Sequence, residues 1–125
     1  QFVQVEITEN FFFKSHVLFV QVLLDTWIDE TCYAMSSAGK GRLEIRIQKD
    51  NSGLGILTLR NTAAGMDPSS LETVFDRYIG MNGQQMQPGM GLCRHAIRHA
   101  GGDALCLAEE GVYTELKLVF PCVME

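Results

Sequence analysis

Hydrophobic and polar positions alternate near the start of the chain, with Val3, Val5 and Ile7 on one side and Gln4 and Glu6 on the other, until Glu9-Asn10 ends the run. A period of two puts alternate side chains on opposite faces, so a strand is expected over Gln4 to Thr8. From Ser15 the spacing lengthens: Leu18, Val22, Leu24, Trp27 and Ile28 recur at helical intervals through Ala34, and Ser36 to Gly41 supplies a stop. Leu43, Ile45 and Ile47 then alternate with Glu44, Arg46 and Gln48. The turn formers Asp50-Asn51-Ser52-Gly53 follow, and Ile56 to Leu59 resumes, which reads as a hairpin.

Asp67-Pro68-Ser69 with Glu72 has the features of a helix start: a capping side chain, a proline fit for the first turn and an acid near the positive end of the dipole. A short helix through Val74 is expected. Ile79 to Pro88, rich in Gly and Gln and without a usable period, is expected to be a lid-like loop. Gly89 to Ala100 reads as an amphipathic helix stopped by Gly101-Gly102, and Ala104 to Ala108 with Tyr113 to Phe120 forms a last hairpin turned at Glu110-Gly111. This order predicts a single domain over residues 1–125. Its class is α/β (α+β), a two-layer sandwich with a mixed, mostly antiparallel five-stranded sheet and helices on one face.

Composition narrows the classes of partner. A net charge of −5 leaves little to neutralise phosphates in a row, so nucleic acid is not expected as a partner. The longest apolar run, Val17 to Leu24, contains Gln21 and is too short to cross a bilayer, so no membrane contact is expected. Cys32, Cys93, Cys106 and Cys122 form no C-x-x-C pair and lie in apolar stretches, which suits reduced, buried thiols and a cytoplasmic setting. The opening Gln1-Phe2-Val3 carries no initiator methionine or leader pattern, so the chain reads as a piece of a longer protein.

Four segments, in order, resemble the motifs of the GHKL ATPases, and of histidine kinase catalytic domains in particular. Asp25-Thr26-Trp27-Ile28-Asp29-Glu30 stands where the kinases have N-L-L-x-N-A, Asn61 to Met66 where they have D-x-G-x-G-I/M, and Val74-Phe75-Asp76-Arg77-Tyr78 where they have I-F-E-P-F. Most specific is the ending: Gly89-Met90-Gly91-Leu92-Cys93-Arg94, a helix to Gly101-Gly102, then Thr114-Glu115-Leu116 and Phe120-Pro121. Counting back from Gly101 makes Gly89 the last glycine of the family's G-x-G-x-G and puts Gln85 and Gln87 at the other two.

The resemblance implies a Bergerat-type ATP-binding fold that holds ATP and Mg²⁺ and passes the γ-phosphoryl to a histidine on a separate dimerisation domain, with a response-regulator receiver domain downstream. It implies catalytic roles for Asp25 and Asp29, the latter holding Mg²⁺. Asn61, Gly65, Met66, Tyr78, Gly89, Gly91 and Thr114 would contact the nucleotide. The departures are concentrated in the same places: both box asparagines are Asp, the adenine-reading Asp is Asn61, Ala63 replaces a glycine, and Cys32 stands where a basic residue is usual. An alternative is therefore a pseudo-kinase module that keeps the fold as a docking surface without turnover; a non-kinase partner-switching domain on the same fold is a third. Asp25, Asp29 and Glu30 also read simply as a solvated helix face, and His95 and His99 with Arg94 and Arg98 as an exposed polar one rather than a metal site.

Overall fold

The structure, a computed structural model, describes residues 2–14, 17–63 and 90–123. The expected helix start at Asp67, the aromatic segment at 74–78 and the lid at 79–88 lie outside the described residues.

Strand β1 (Phe2–Ile7), strand β2 (Phe12–Phe13), helix α1 (Val17–Ala38), strands β3 (Arg42–Lys49) and β4 (Leu54–Asn61), helix α2 (Met90–His99), and strands β5 (Asp103–Glu109) and β6 (Tyr113–Val123) follow in chain order. The sheet runs β1-β3-β4-β6-β2, with β5 also paired to β6. Among the described strands only the β1–β3 pairing is parallel, and the rest are antiparallel. The mixed sheet matches the sequence pattern, with six strands among the described residues where five were expected. The sixth is Phe12–Phe13, too short to show alternation. Aromatic packing holds it: Phe13 stacks on Phe120 with ring centroids 4.0 Å apart, and Phe11 lies over Gly55, where a Cβ would clash with its ring.

The register separates the two faces. Along the sheet, Leu43, Asn61 and Thr114 share one row, Ile45, Leu59, Leu116 and Cys106 the next, and Ile47, Leu57, Leu118 and Ala104 a third. The core is built on this face, where Val20, Leu23, Trp27 and Met35 of α1 and Cys93 and Ile97 of α2 pack against it. Both described helices therefore cover one face, as expected. The opposite face carries Glu6, Glu44, Arg46, Arg60 and Glu115, with Arg46–Glu6 and Arg60–Glu115 ion pairs at 3.5 and 3.0 Å and Arg60 over the Tyr113 ring. Charged rows keep that face toward water.

Burial departs from hydrophobicity at two sets of apolar positions. Val3, Val5 and Ile7 do share the core-side face, in register with Leu43, Ile45 and Ile47, yet they are 54–58% exposed, because β1 is the edge strand and its row flanks the core. In α1 the buried positions are Val20, Leu23, Trp27, Glu30, Thr31 and Met35, while Leu18 is 65% exposed. The nearly continuous apolar run from Val17 to Leu24 offers several helical stripes, and Trp27 selects among them. Its indole Nε1 donates to the Leu59 carbonyl at 3.1 Å, tying α1 to the centre of β4. The helix ends within the expected stop, with Ala38 its last residue and Gly39 after it, whose φ of 68° suits glycine and whose N–H reaches the Met35 carbonyl.

The other boundaries follow their turn chemistry. Gly101 (φ 92°) donates to the Arg98 carbonyl and Gly102 to that of Ile97, the paired bonds that close a helix through a left-handed glycine. In the β3–β4 turn, Asp50 Oδ1 accepts from Ser52 N, Ser52 Oγ and Leu54 N at 2.7–3.0 Å. Of the cysteines, Cys93 is buried, Cys106 and Cys122 are half-buried, and Cys32, against expectation, is exposed on the outer side of α1; all are free thiols. Burial raises the Cys93 thiol above its ordinary pKa.

Hydrogen bonds from Leu54 and Ser52 lower the Asp50 pKa below the ordinary carboxylate value. Its stabilising contribution is therefore present above the unfolded-state value and lost as pH falls through the lower folded-state one. Thermal melts between pH 7 and 3 should show Asp50→Asn less stable at neutral pH, with the gap narrowing toward pH 3. A gap unchanged with pH would contradict this. Trp27→Phe, which removes the Leu59 bond and part of the wedge, is expected to cost roughly 1–3 kcal/mol in denaturant unfolding.

Candidate functional site

The core face turns polar at one end. Asn61 and Thr114 are directly paired across β4 and β6, and each is only 2% exposed. Two contacts give the direction of α1 beside them: Trp27 meets Leu59, and Gly41, just beyond the helix, packs against Ala63. Helix and strand thus run the same way. One helical turn past Trp27 climbs about as far as two strand residues past Leu59, roughly 6 Å in each case. Glu30 and Thr31, at 7% and 1% exposure, accordingly come level with Asn61. A carboxylate, a hydroxyl, a carboxamide and a second hydroxyl are thus buried in an otherwise apolar core. Groups of this kind are buried at a cost unless they are paired.

The loop after β4 is held from both sides. Thr62 N donates to the Arg42 carbonyl at 3.1 Å, Arg42 N donates to Thr62 Oγ1 at 2.9 Å, and Asn61 Oδ1 accepts the Ala63 N–H at 2.8 Å. Ala63 stands where the resembling motif has a glycine, a residue that tolerates left-handed angles. No described non-glycine residue, Ala63 included, has a positive φ, so alanine is unstrained there. The glycine that this loop requires is Gly41: at φ 103° it is in left-handed territory, and a Cβ on it would fall 2.7 Å from the Ala63 backbone.

Asp25 and Asp29 keep their one-turn spacing on α1, and both are exposed. At 3.6 residues per turn they lie about 160° around the helix from Trp27, one on each side of the pole facing away from the sheet. Neither borders the buried polar cluster. Asp25 instead edges an apolar groove with Phe13, Val20, Gln21 and Leu24. Glu30, which the sequence had placed on the solvated face, is the buried acid of this helix, about 60° from Trp27. Counting three and four residues from the tryptophan would have identified Glu30 and Thr31 in the sequence. Gly91 is half-buried in the first turn of α2, whereas Gly65, Met66, Tyr78 and Gly89 lie outside the described residues.

His95, Arg98 and His99 are exposed on α2, and Arg98 pairs with Asp103 at 2.6 Å. Among the described residues no group of three or more His, Cys, Asp or Glu is arranged to hold a metal, and no helix is long and apolar enough to cross a membrane.

Gly41→Ala should lower stability by at least about 2 kcal/mol in urea unfolding, since both φ and the Ala63 contact oppose it. Gly39→Ala, with the same sign of φ and nothing within 4 Å of the added carbon, should cost about 1 kcal/mol. Equal losses would show that the Ala63 contact is not limiting.

No protein-family model matches the sequence, and no curated protein does. Solved structures do match. The full-length ShkA structure, in complex with AMPPNP, aligns with a TM-score of 0.71 at 13% identity over 98% of this chain. The catalytic domain of histidine kinase ThkA, nucleotide-free, gives 0.69 at 16% over 97%, and the mycobacterial sensor histidine kinase MprB gives 0.65 at 16% over 98%. The chain spans 26% of ShkA, 77% of the ThkA structure and 84% of the MprB one. At these identities what is shared is the architecture: the chain has the fold of histidine kinase catalytic domains.

Proposed function

We propose that this chain is the nucleotide-binding catalytic domain of a two-component histidine kinase, holding a Mg²⁺–nucleoside triphosphate and presenting its γ-phosphoryl to a histidine on a separate dimerisation domain. The observation that carries this reading is the buried polar cluster of Glu30, Thr31, Asn61 and Thr114 at the end of β4, in a fold whose neighbour ShkA is in complex with AMPPNP. ATP is the nucleotide that the resemblance implies. Catalysis of this type is positioning and charge neutralisation, which asks the domain for polar groups on a rigid frame. Asn61 and Thr114 stand at the base end, and Gly91 in the first turn of α2 offers close backbone approach to phosphates. A Mg²⁺ ion fits the chemistry of this donor set, since it takes one or two carboxylates and completes its shell with water and phosphate oxygens. Glu30 would supply its carboxylate from the sheet-facing side of α1, whereas Asp29 lies on the exposed side.

A second reading, a docking module without turnover, is favoured by one specific feature. No Lys or Arg occurs anywhere in α1, so the helix brings only acids toward a triphosphate. Its partners would be the same helical and receiver domains.

A thermal-shift titration with millimolar ATP and GTP, each with and without Mg²⁺, separates the two readings. A saturable, Mg²⁺-dependent rise with either nucleotide is expected. Glu30→Gln should weaken the Mg²⁺ dependence by at least about tenfold in apparent affinity, while Asp29→Asn leaves it within about twofold. Absence of any response to both nucleotides would leave the docking reading, and the reverse ranking of the two variants would return the metal to Asp29.

A further inference from the structure

The polarity of Asn61 is fixed by its own loop. Its side chain is 2% exposed and its Oδ1 is committed to the Ala63 N–H at 2.8 Å, while among the described residues its amide nitrogen has no hydrogen-bond partner. A buried amide donor without an acceptor is costly, so the position calls for one. Rotating the amide by half a turn does not help, because it would set the NH₂ group against the Ala63 N–H, donor facing donor. Aspartate and asparagine have nearly the same shape, but their second terminal atoms differ in sign. With one oxygen held by the loop, an aspartate would offer another acceptor; asparagine offers a donor.

We propose that Asn61 reads a purine by donating from Nδ2, so that this site takes a base with a carbonyl oxygen at the six position, guanine or hypoxanthine, in preference to adenine. This rests on the nucleotide-binding reading above and changes its base. Adenine would bring its amino group against the Asn61 amino group, leaving two buried donors without acceptors. Guanine or hypoxanthine brings an oxygen to the same point and satisfies the amide. Thr114 stands beside Asn61 in the β4–β6 pair.

The test compares Mg²⁺ complexes of ATP, GTP and ITP by thermal-shift titration of the intact chain and of Asn61→Asp. GTP and ITP should bind at least about tenfold more tightly than ATP, the scale of a hydrogen bond exchanged for an unpaired buried donor. In Asn61→Asp, whose second oxygen accepts, the order should reverse. Equal or tighter binding of ATP by the unsubstituted chain overturns the base assignment and leaves the nucleotide-binding reading standing. Failure of all three nucleotides to bind overturns both. The unsubstituted chain's preference decides the matter even if Asn61→Asp does not fold.

Discussion

The wedge of Trp27 between α1 and the centre of β4 sets the geometry on which the rest depends. Its ring is nearly fully buried, and its Nε1 bond to the Leu59 carbonyl gives the contact a direction as well as an area. Once that position faces the sheet, the rotation of a regular helix assigns every other residue of α1. Leu23 and Val20 follow it into the core, Glu30 and Thr31 reach the polar end, and Asp25 and Asp29 turn to water. A helix rotated by one residue would exchange Asp29 for Glu30 at the cluster. The chemistry of the site is thus decided by a packing contact that has no part in it.

Much of the fold was legible because its signals are local. The alternation in Leu43 to Ile47, the turn residues at Asp50 to Gly53 and the glycines at 101 and 102 each specify geometry within a few residues, and the structure follows them. What escaped depends on distant partners. Phe12–Phe13 is a strand only because Cys122 and Val123 lie alongside and Phe120 supplies a stacking surface. Val3, Val5 and Ile7 carry an ordinary core pattern, and their exposure follows from β1 being last in the sheet, a fact of topology that alternation does not encode.

The site divides along the same line. The pairing of Asn61 with Thr114 was within reach of the sequence, because each lies at an end of a strand and strand register brings them face to face. Asp25 and Asp29 keep the expected spacing, and the rotation of α1 sets both on its exposed side, which the sequence does not encode, since spacing states which residues share a face and leaves open which way that face points. Gly41 escaped because nothing near it in sequence shows that Ala63 packs against it.

Scaffold and site draw on different residues, and this allows one to diverge while the other holds. Gly39, Gly101 and Gly102 close helices, Phe11, Phe13 and Phe120 seal the sheet edge, and Trp27 fixes the packing; none of them is in the polar cluster. The cluster, by contrast, adds little to folding, because burying a carboxylate, a carboxamide and hydroxyls recovers at best what their desolvation costs. An apolar replacement that filled the same space would stabilise the core as well or better. Asn61 marks the boundary between the two sets: its oxygen secures the Ala63 loop and so belongs to the scaffold, while its nitrogen makes no contribution to folding among the described residues. One half of this side chain is structural, and the other, unpaired among the described residues, is the half that the proposed base would pair with.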